Sequence, residues 1–177
     1  MHYDEARTLG KYEDALREAV LKIKHPYHEP LAAGLGQQLA GQLMERPFGE
    51  PPELVVPVPM FWLQRLWRGT NAAETLALAV AQSLGLPIAT NLLVCRRWLK
   101  KQSTLNTQER RRNVRHAFRV SWRYRVSWRD TVRNTRILLI DDVLTTGATA
   151  HEAARALRQA SAAAVYVAAV ARSTHEP

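Results

Sequence analysis

The sequence predicts a single α/β domain, residues 1–177, with a largely parallel sheet, and three observations lead to this expectation. A chain of 177 residues suits one domain. From Leu54 onward, short apolar runs alternate with stretches of helical periodicity, as in sheets whose parallel strands are joined by helices. One of these runs ends in Asp141 and Asp142, followed by a Thr-Thr-Gly turn. Parallel sheets bind their ligands at such strand ends.

The composition is that of a folded protein, since 46% of the residues are hydrophobic and 23% are charged. No apolar run approaches the roughly 18 residues that a membrane span needs. The first residues, Met1–Glu5, lack the basic and apolar segments of a signal peptide, so we expect a cytoplasmic protein with no membrane partner. Cys95 is the only cysteine, which excludes an internal disulfide and a paired-cysteine zinc site.

The positive charge is concentrated in one segment. The chain carries a net charge of +9, and between Arg96 and Arg136 there are 14 basic residues against two acidic ones, a local charge of +12. Such a segment attracts phosphate groups. The phosphate could belong to a nucleic acid or to a small phosphorylated substrate, and the charge alone leaves both open.

Residues 1–46 are predicted to form a helical lead-in. Within residues 11–24 apolar side chains recur every three or four positions, as on one face of a helix. Leucines repeat every four residues from Leu31, which predicts a second helix that ends near Glu45. A Pro-rich turn follows at residues 47–52.

Residues 54–97 and 136–172 are predicted to form the α/β core. The first helix of the core begins with Asn71 and has Glu74 three residues on, a variant of the capping box. The predicted strands are Leu54–Val58, Ile88–Val94, Arg136–Ile140 and Val165–Val170, and the predicted helices are Asn71–Leu84 and Ala148–Ala160.

Residues 98–135 do not follow this alternation, and we expect them to form a basic loop, arm or hairpin. They contain a duplication, Val120-Ser-Trp-Arg and Val126-Ser-Trp-Arg, whose even spacing places both copies on one face of an extended segment. Trp122 and Trp128 could stack on nucleic-acid bases, although packing in a core or an interface is the simpler role for tryptophan.

The residues best suited to bind a ligand lie at 136–150, where a predicted strand is followed by two carboxylates, a turn and a helix. The N-terminus of that helix offers unpaired N–H groups to a phosphate, and Gly147 allows the backbone to approach it closely. Asp141 and Asp142 would face polyol hydroxyls or a cation, so the pattern indicates a sugar phosphate. Helix capping alone would explain one of the two carboxylates but not the whole pattern. A P-loop is excluded because no Gly-Lys-Ser/Thr triplet follows the strand. The hydroxyl donors of the turn are Thr145, Thr146 and Thr149.

The segment Ile140–Thr149 resembles the 5-phosphoribosyl-1-pyrophosphate (PRPP) signature of type I phosphoribosyltransferases. The resemblance implies a type I phosphoribosyltransferase-like sheet, in which Asp141 and Asp142 act as catalytic residues that hold the ribose 2′ and 3′ hydroxyls. It also implies that the following turn holds the 5′ phosphate. The phosphate-binding residues would be Leu144, Thr145, Thr146, Gly147, Ala148 and Thr149.

Further motifs are similar to those of the ComF family. These motifs are Val56-Pro-Val-Pro, Arg68-Gly-Thr-Asn, Gln102 with Leu105, Arg111 with Asn113, and Ala117-Phe118. The similarity covers roughly residues 10–172. Two departures stand out: Ala72 replaces the usual Gln, and the four-cysteine zinc ribbon of many members has no counterpart before Cys95. Either the ribbon was lost or the sequence starts after it, and we expect no stoichiometric zinc.

The resemblance also implies roles for two loops. Arg68 and Gly69, after the first core strand, would form the pyrophosphate loop, although Arg68 could instead be a solvated charge. Gln102, Arg111 and Asn113 would belong to a flexible loop that closes over PRPP. Arg65 is more simply a solvated charge, and Asn71 is as readily a helix cap as a ligand contact.

The resemblance therefore implies transfer of the 5-phosphoribosyl group from PRPP to an unknown nitrogen acceptor, with release of pyrophosphate. Mg²⁺ would be bound through PRPP, with Asp141 or Asp142 as a further contact. The ComF resemblance also points toward DNA uptake or utilisation. The alternative is a non-catalytic PRPP-sensing, nucleotide-sensing or DNA-handling protein on the same fold. Two further partners remain to be tested. Residues 96–136 could bind nucleic acid, and a second copy of the chain could form a homodimer.

Overall fold

The computed structural model describes residues 1–61, 63, 71–99, 107–121 and 132–173. Of Thr107, Arg110 and Arg111 only the backbone is described. A short 3₁₀ turn at Pro26–His28 precedes the second helix. The elements in chain order are β1 (Glu5–Lys11), α1 (Asp14–Lys22), α2 (Glu29–Glu45), β2 (Leu54–Pro57), α3 (Ala72–Leu84), β3 (Leu93–Cys95), α4 (Thr107–Val114), β4 (Phe118–Val120), β5 (Arg136–Leu144), α5 (Ala148–Gln159) and β6 (Ala164–Arg172).

The main sheet is parallel, which confirms the predicted α/β fold class. Its four strands are ordered β1-β6-β5-β2. The central strands β5 and β6 pair from Arg136 opposite Ala164 to Leu144 opposite Arg172, and most of their side chains are buried. Near-continuous apolar runs of this kind are typical of strands covered on both faces.

The first strand, β1, is a correction to the predicted helical lead-in. The predicted helix at residues 11–24 is shorter, Asp14–Lys22, and the residues before it pair with β6 as an edge strand. Asp4 anchors the start of this strand, because its Oδ2 accepts a hydrogen bond from the Val165 amide at 2.8 Å and it pairs with Arg158. The strand has little apolar character of its own, so its conformation depends on pairing with the far end of the chain.

Two apolar layers cover the sheet. Alternate residues of β5 point to opposite faces, with Ile137 and Leu139 toward α5 and Leu138 and Ile140 toward α2 and α3. Helices α2 and α3 pack closely, since a Cβ added to Gly36 would lie 2.7 Å from Ala79 Cβ. Among the described residues, no helix is long and apolar enough to cross a membrane.

The predicted strand Ile88–Val94 is mostly wrong. Ile88 forms one isolated parallel bridge to Val55, and a turn at Thr90 and Asn91 interrupts the run. Strand β3 begins only at Leu93 and pairs with β4 in a separate antiparallel sheet of two strands. The apolar run is therefore divided between two sheets.

The described part of residues 98–135 is more ordered than the predicted arm or hairpin. It contains helix α4 and strand β4, and both contact α5. The His116 amide donates to Glu152 Oε2 at 2.7 Å, which ties the turn between α4 and β4 to α5. Trp122, Trp128 and most of the duplication lie outside the described residues. Cys95 is a buried free thiol.

Candidate functional site

The two aspartates lie within β5, which continues beyond the predicted end at Ile140 to Leu144. The Asp142 amide donates to Asp141 Oδ1 at 2.9 Å. The Val143 amide donates in the same way to Asp142 Oδ1 at 2.8 Å. Each carboxylate is thus oriented by the peptide that follows it.

The surroundings of Asp141 disfavour the charged form of its carboxyl group. Burial is the main cause that raises the pKa of Asp141 well above its ordinary value, and the charge of Asp142 adds to it. The Asp142 amide and Lys24 oppose this shift without cancelling it. The oxygens of two adjacent carboxyl groups can accept hydrogen bonds from hydroxyls, so the pair suits a ligand with adjacent hydroxyl groups.

Lys24 reaches the acid pair from the turn that follows α1, and sequence reasoning missed it. Its Nζ lies 3.1 Å from Asp142 Oδ2. Burial alone would lower the pKa of Lys24. The negative groups nearby outweigh burial, so the pKa of Lys24 lies above its ordinary value; these groups are Asp142, Tyr12 and Asp141. No periodicity or motif connects a lysine at a helix end with an acid pair so far along the chain.

The turn between β5 and α5 has the features of an anion site. Gly147 is the N-cap of α5 with φ of +72°, and the first N–H groups of the helix have no intrahelical acceptor. The hydroxyl of Thr146 is buried and has no hydrogen-bond partner within the described residues. Buried hydroxyls are normally paired, so this one suits a bound ligand. Leu144 and Ala148 are buried and would contribute backbone groups.

Tyr3 packs against this turn. Its hydroxyl oxygen lies 2.8 Å from the position that a Cβ on Gly147 would take. Burial raises the pKa of Tyr3, and the charge of Arg172 opposes the rise. Next to it, the His2 amide donates to His151 Nδ1 at 3.1 Å and the two imidazole rings stack. The N-terminal residues therefore form one wall of the turn, a role that the sequence did not indicate.

The other predicted site residues fall into two groups. Arg65, Arg68, Gly69 and Gln102 lie outside the described residues, so the proposed pyrophosphate loop and part of the flexible loop stay predictions. The two remaining flexible-loop residues are on helix α4: the backbone of Arg111 is described without its side chain, and Asn113 is half-buried.

Asn71 differs from its predicted capping role. It is the N-cap of α3, but its side chain makes no capping hydrogen bond. Its Nδ2 donates instead to the carbonyl oxygen of Val58 at 3.4 Å. Its own carbonyl oxygen accepts from the Glu74 amide at 2.9 Å. Asn71 thus ties the start of α3 to the end of β2.

Direct metal binding has little support at this site. Within the described ranges, no group of three His, Cys, Asp or Glu side chains could hold a metal ion. Asp142 already pairs with the ammonium group of Lys24. A divalent cation at the acid pair would therefore have to displace Lys24 from Asp142 or be brought by the ligand.

Comparison with known proteins identifies the family. No protein-family model matches the chain. The DNA utilization protein YhgH of Salmonella typhi is 30% identical over 164 residues, which cover 90% of this chain and 68% of YhgH. Competence protein F of Haemophilus influenzae is 30% identical over 122 residues, 69% of this chain and 51% of that protein. The chain belongs to the ComF family. It spans about half the length of the Haemophilus relative and about two thirds of the Salmonella relative.

Several solved structures are similar to this ComF-family chain. Glutamine PRPP amidotransferase from B. subtilis superposes with a TM-score of 0.48 at 20% identity, over 77% of this chain and 25% of that one. Adenine phosphoribosyltransferase from Leishmania tarentolae superposes with a TM-score of 0.45 at 16% identity, over 82% of this chain and 71% of that one.

Proposed function

We propose that this ComF-family protein binds PRPP and transfers its 5-phosphoribosyl group to a nitrogen acceptor, with release of pyrophosphate. The observation that carries the proposal is the order of groups along β5 and α5. An acid pair is followed by a turn with a buried Thr146 hydroxyl, which has no hydrogen-bond partner among the described residues, and then by a helix N-terminus. A diol-binding pair next to a phosphate-binding turn matches the two ends of a pentose 5-phosphate.

Each group would have a defined task in that reaction. The acid pair would hold the ribose hydroxyls, and its negative field would stabilise the oxocarbenium-like transition state. The Thr146 hydroxyl and the first amides of α5 would hold the 5′ phosphate. Arg68 and Gly69 would bind the leaving pyrophosphate, and Gln102, Arg111 and Asn113 would belong to a loop that excludes water.

Mg²⁺ is part of the proposal as a companion of PRPP. Mg²⁺ keeps an octahedral set of oxygen ligands and is often bound through phosphates. It would offset the charge of the leaving pyrophosphate. Because Asp142 is paired with Lys24, we propose that the phosphate oxygens and ribose hydroxyls of PRPP hold the cation, with an aspartate as a secondary contact.

The first experiment measures ligand stabilisation. PRPP with Mg²⁺ should stabilise the folded protein by about 2.7 kcal/mol at a hundredfold excess over its dissociation constant. Asp142→Asn and Thr146→Val should reduce this stabilisation while the free variants still fold. Unchanged melting of the parent protein with saturating PRPP and Mg²⁺ would contradict the proposal. Consumption of PRPP with a panel of nitrogenous bases then separates turnover from binding.

DNA handling without catalysis is the second candidate function. The relatives are named for competence and DNA utilisation, and the described arginines around β3, α4 and β4 are exposed. These arginines are Arg96, Arg97, Arg112, Arg115 and Arg119. We expect only weak binding of single-stranded DNA at about 0.15 M salt, where charge attraction is screened. Tight binding that Trp122→Ala/Trp128→Ala abolishes without unfolding would instead support DNA handling.

A further inference from the structure

The ion pair between Lys24 and Asp142 is less exposed than the pair between Lys22 and Glu18 on the preceding helix. The side chains of Lys24 and Asp142 are 34% and 23% exposed. The pair between Lys22 and Glu18 on α1 is 50% and 67% exposed, as expected of a solvated contact. The residue before Lys24, Ile23, is 2% exposed and belongs to the apolar layer beside α2 and α3. Burial of Ile23 fixes the turn from which the lysine reaches the acid pair.

The charges around Lys24 explain why a cation is needed there. Asp142, Tyr12 and Asp141 are the titratable groups that act on the ammonium. A pentose phosphate would place its own negative charges close to two carboxyl groups, and an uncompensated carboxylate would repel it. Because Lys24 pairs with Asp142, the acid pair keeps its hydrogen-bonding atoms while the charge of Asp142 is compensated.

We infer that Lys24 is a positioning residue for recognition of the ribose diol: it fixes the Asp142 carboxylate and compensates its charge, so that the acid pair can bind the hydroxyls of an anionic pentose phosphate. The inference rests on the proposed function and assigns the N-terminal lead-in a part in it. Lys24 acts through Asp142, and the selectivity for a ribose over a 2-deoxyribose is the property that it controls.

The test compares ribose 5-phosphate with 2-deoxyribose 5-phosphate, measured by calorimetric titration of the full chain. The parent should prefer ribose 5-phosphate by about tenfold, the usual value of one hydrogen bond to a charged group. Lys24→Met should lose most of this preference, whereas Lys24→Arg should retain much of it. Lys22→Met removes a charge from the neighbouring turn of helix and should leave the preference unchanged.

The ratio of the two affinities separates the inference from simpler explanations. General loss of positive charge weakens both ligands equally, and partial unfolding does the same. Lys24→Ala, which also removes the ammonium group, replaces Lys24→Met if the latter fails to fold. A parent that binds neither ligand nor PRPP would overturn the proposed function. A parent that discriminates, with Lys24→Met or Lys24→Ala discriminating equally, would overturn only the role of Lys24. A parent that binds both sugars equally would also overturn that role and leave phosphate binding intact.

Discussion

The hydroxyl group of Tyr3 occupies the space into which a side chain on Gly147 would project, 2.8 Å from the Cβ position. Gly147 also adopts a left-handed backbone conformation, with φ of +72°. Two independent constraints therefore require glycine at the start of α5. The conformation of the turn that would hold a phosphate depends in part on the third residue of the chain.

Substitutions at these two positions should be coupled. Gly147→Ala should destabilise the fold by about 1–2 kcal/mol from the left-handed backbone alone, and the contact with the Tyr3 hydroxyl should add to this. Tyr3→Phe removes the hydroxyl oxygen. The nearest remaining atom of the ring, Cζ, then lies 3.7 Å from the Cβ position on residue 147. The double variant should therefore recover about 1 kcal/mol relative to the sum of the single effects, as measured by urea unfolding. Strict additivity would show that the hydroxyl lies elsewhere.

Asp141→Asn should stabilise the free protein at neutral pH. The raised pKa of Asp141 means that the folded state binds the proton more tightly than the unfolded chain does. Its contribution to stability is fully present below the unfolded value of about 3.9 and is lost as pH rises through the folded value. Asparagine does not titrate, so the variant should be more stable than the parent near pH 7.5, with a much smaller difference near pH 4.

The control for that experiment is Asp142→Asn. This change removes the partner of Lys24, so it should give no comparable gain. Both variants should bind PRPP less well than the parent protein. A melting temperature of Asp141→Asn below that of the parent at pH 7.5 would contradict a raised pKa of Asp141 in the folded protein.

The difference between the predicted and observed site follows from the range of the interactions. The apolar run Ile137–Ile140 and the turn at Gly147 are local signals, and the structure has both features close to where the sequence placed them. Among the described strands, β1 pairs with β6 alone, which lies at the opposite end of the chain. Lys24 and Tyr3 meet the site only because the lead-in folds back over it. Periodicity and motif spacing carry no information on contacts of this kind.

Glu152 should hold the α4–β4 region on α5. Burial acts to raise the pKa of Glu152, but the His116 amide and Arg155 outweigh burial, so the pKa lies below its ordinary value. The resulting stability is present above the unfolded value of about 4.3 and is lost as pH falls through the folded value. Glu152→Gln should therefore lower the free energy of unfolding by about 1–2 kcal/mol at pH 7. The substitution replaces the carboxylate that accepts a hydrogen bond from Arg155 Nε at 3.0 Å with a neutral amide.

Two observations check that assignment. Urea unfolding at pH 3 should show a smaller difference between Glu152→Gln and the parent, because the stability contributed by the charged glutamate decreases as pH falls. Glu18→Gln, which removes a carboxylate from an exposed pair with Lys22, should leave the unfolding midpoint unchanged at both pH values. An effect of Glu152→Gln that does not depend on pH would mean that packing, and not charge, explains it.

The two glycines of α2 should respond in opposite directions to the same substitution. A Cβ on Gly36 would lie 2.7 Å from Ala79 Cβ and 2.8 Å from the carbonyl oxygen of Leu76, so α2 and α3 would have to separate. Overpacking of this kind costs about 1–3 kcal/mol, which exceeds the gain of up to about 1 kcal/mol from helix propensity. In the described part of the chain, no neighbouring atom lies within 4 Å of the position that a Cβ on Gly34 would take, so Gly34→Ala should stabilise the protein by that gain. Thermal unfolding measures both changes. If they stabilise the protein equally, then α2 lies farther from α3, and the apolar layer between these helices and β5 is less tightly packed.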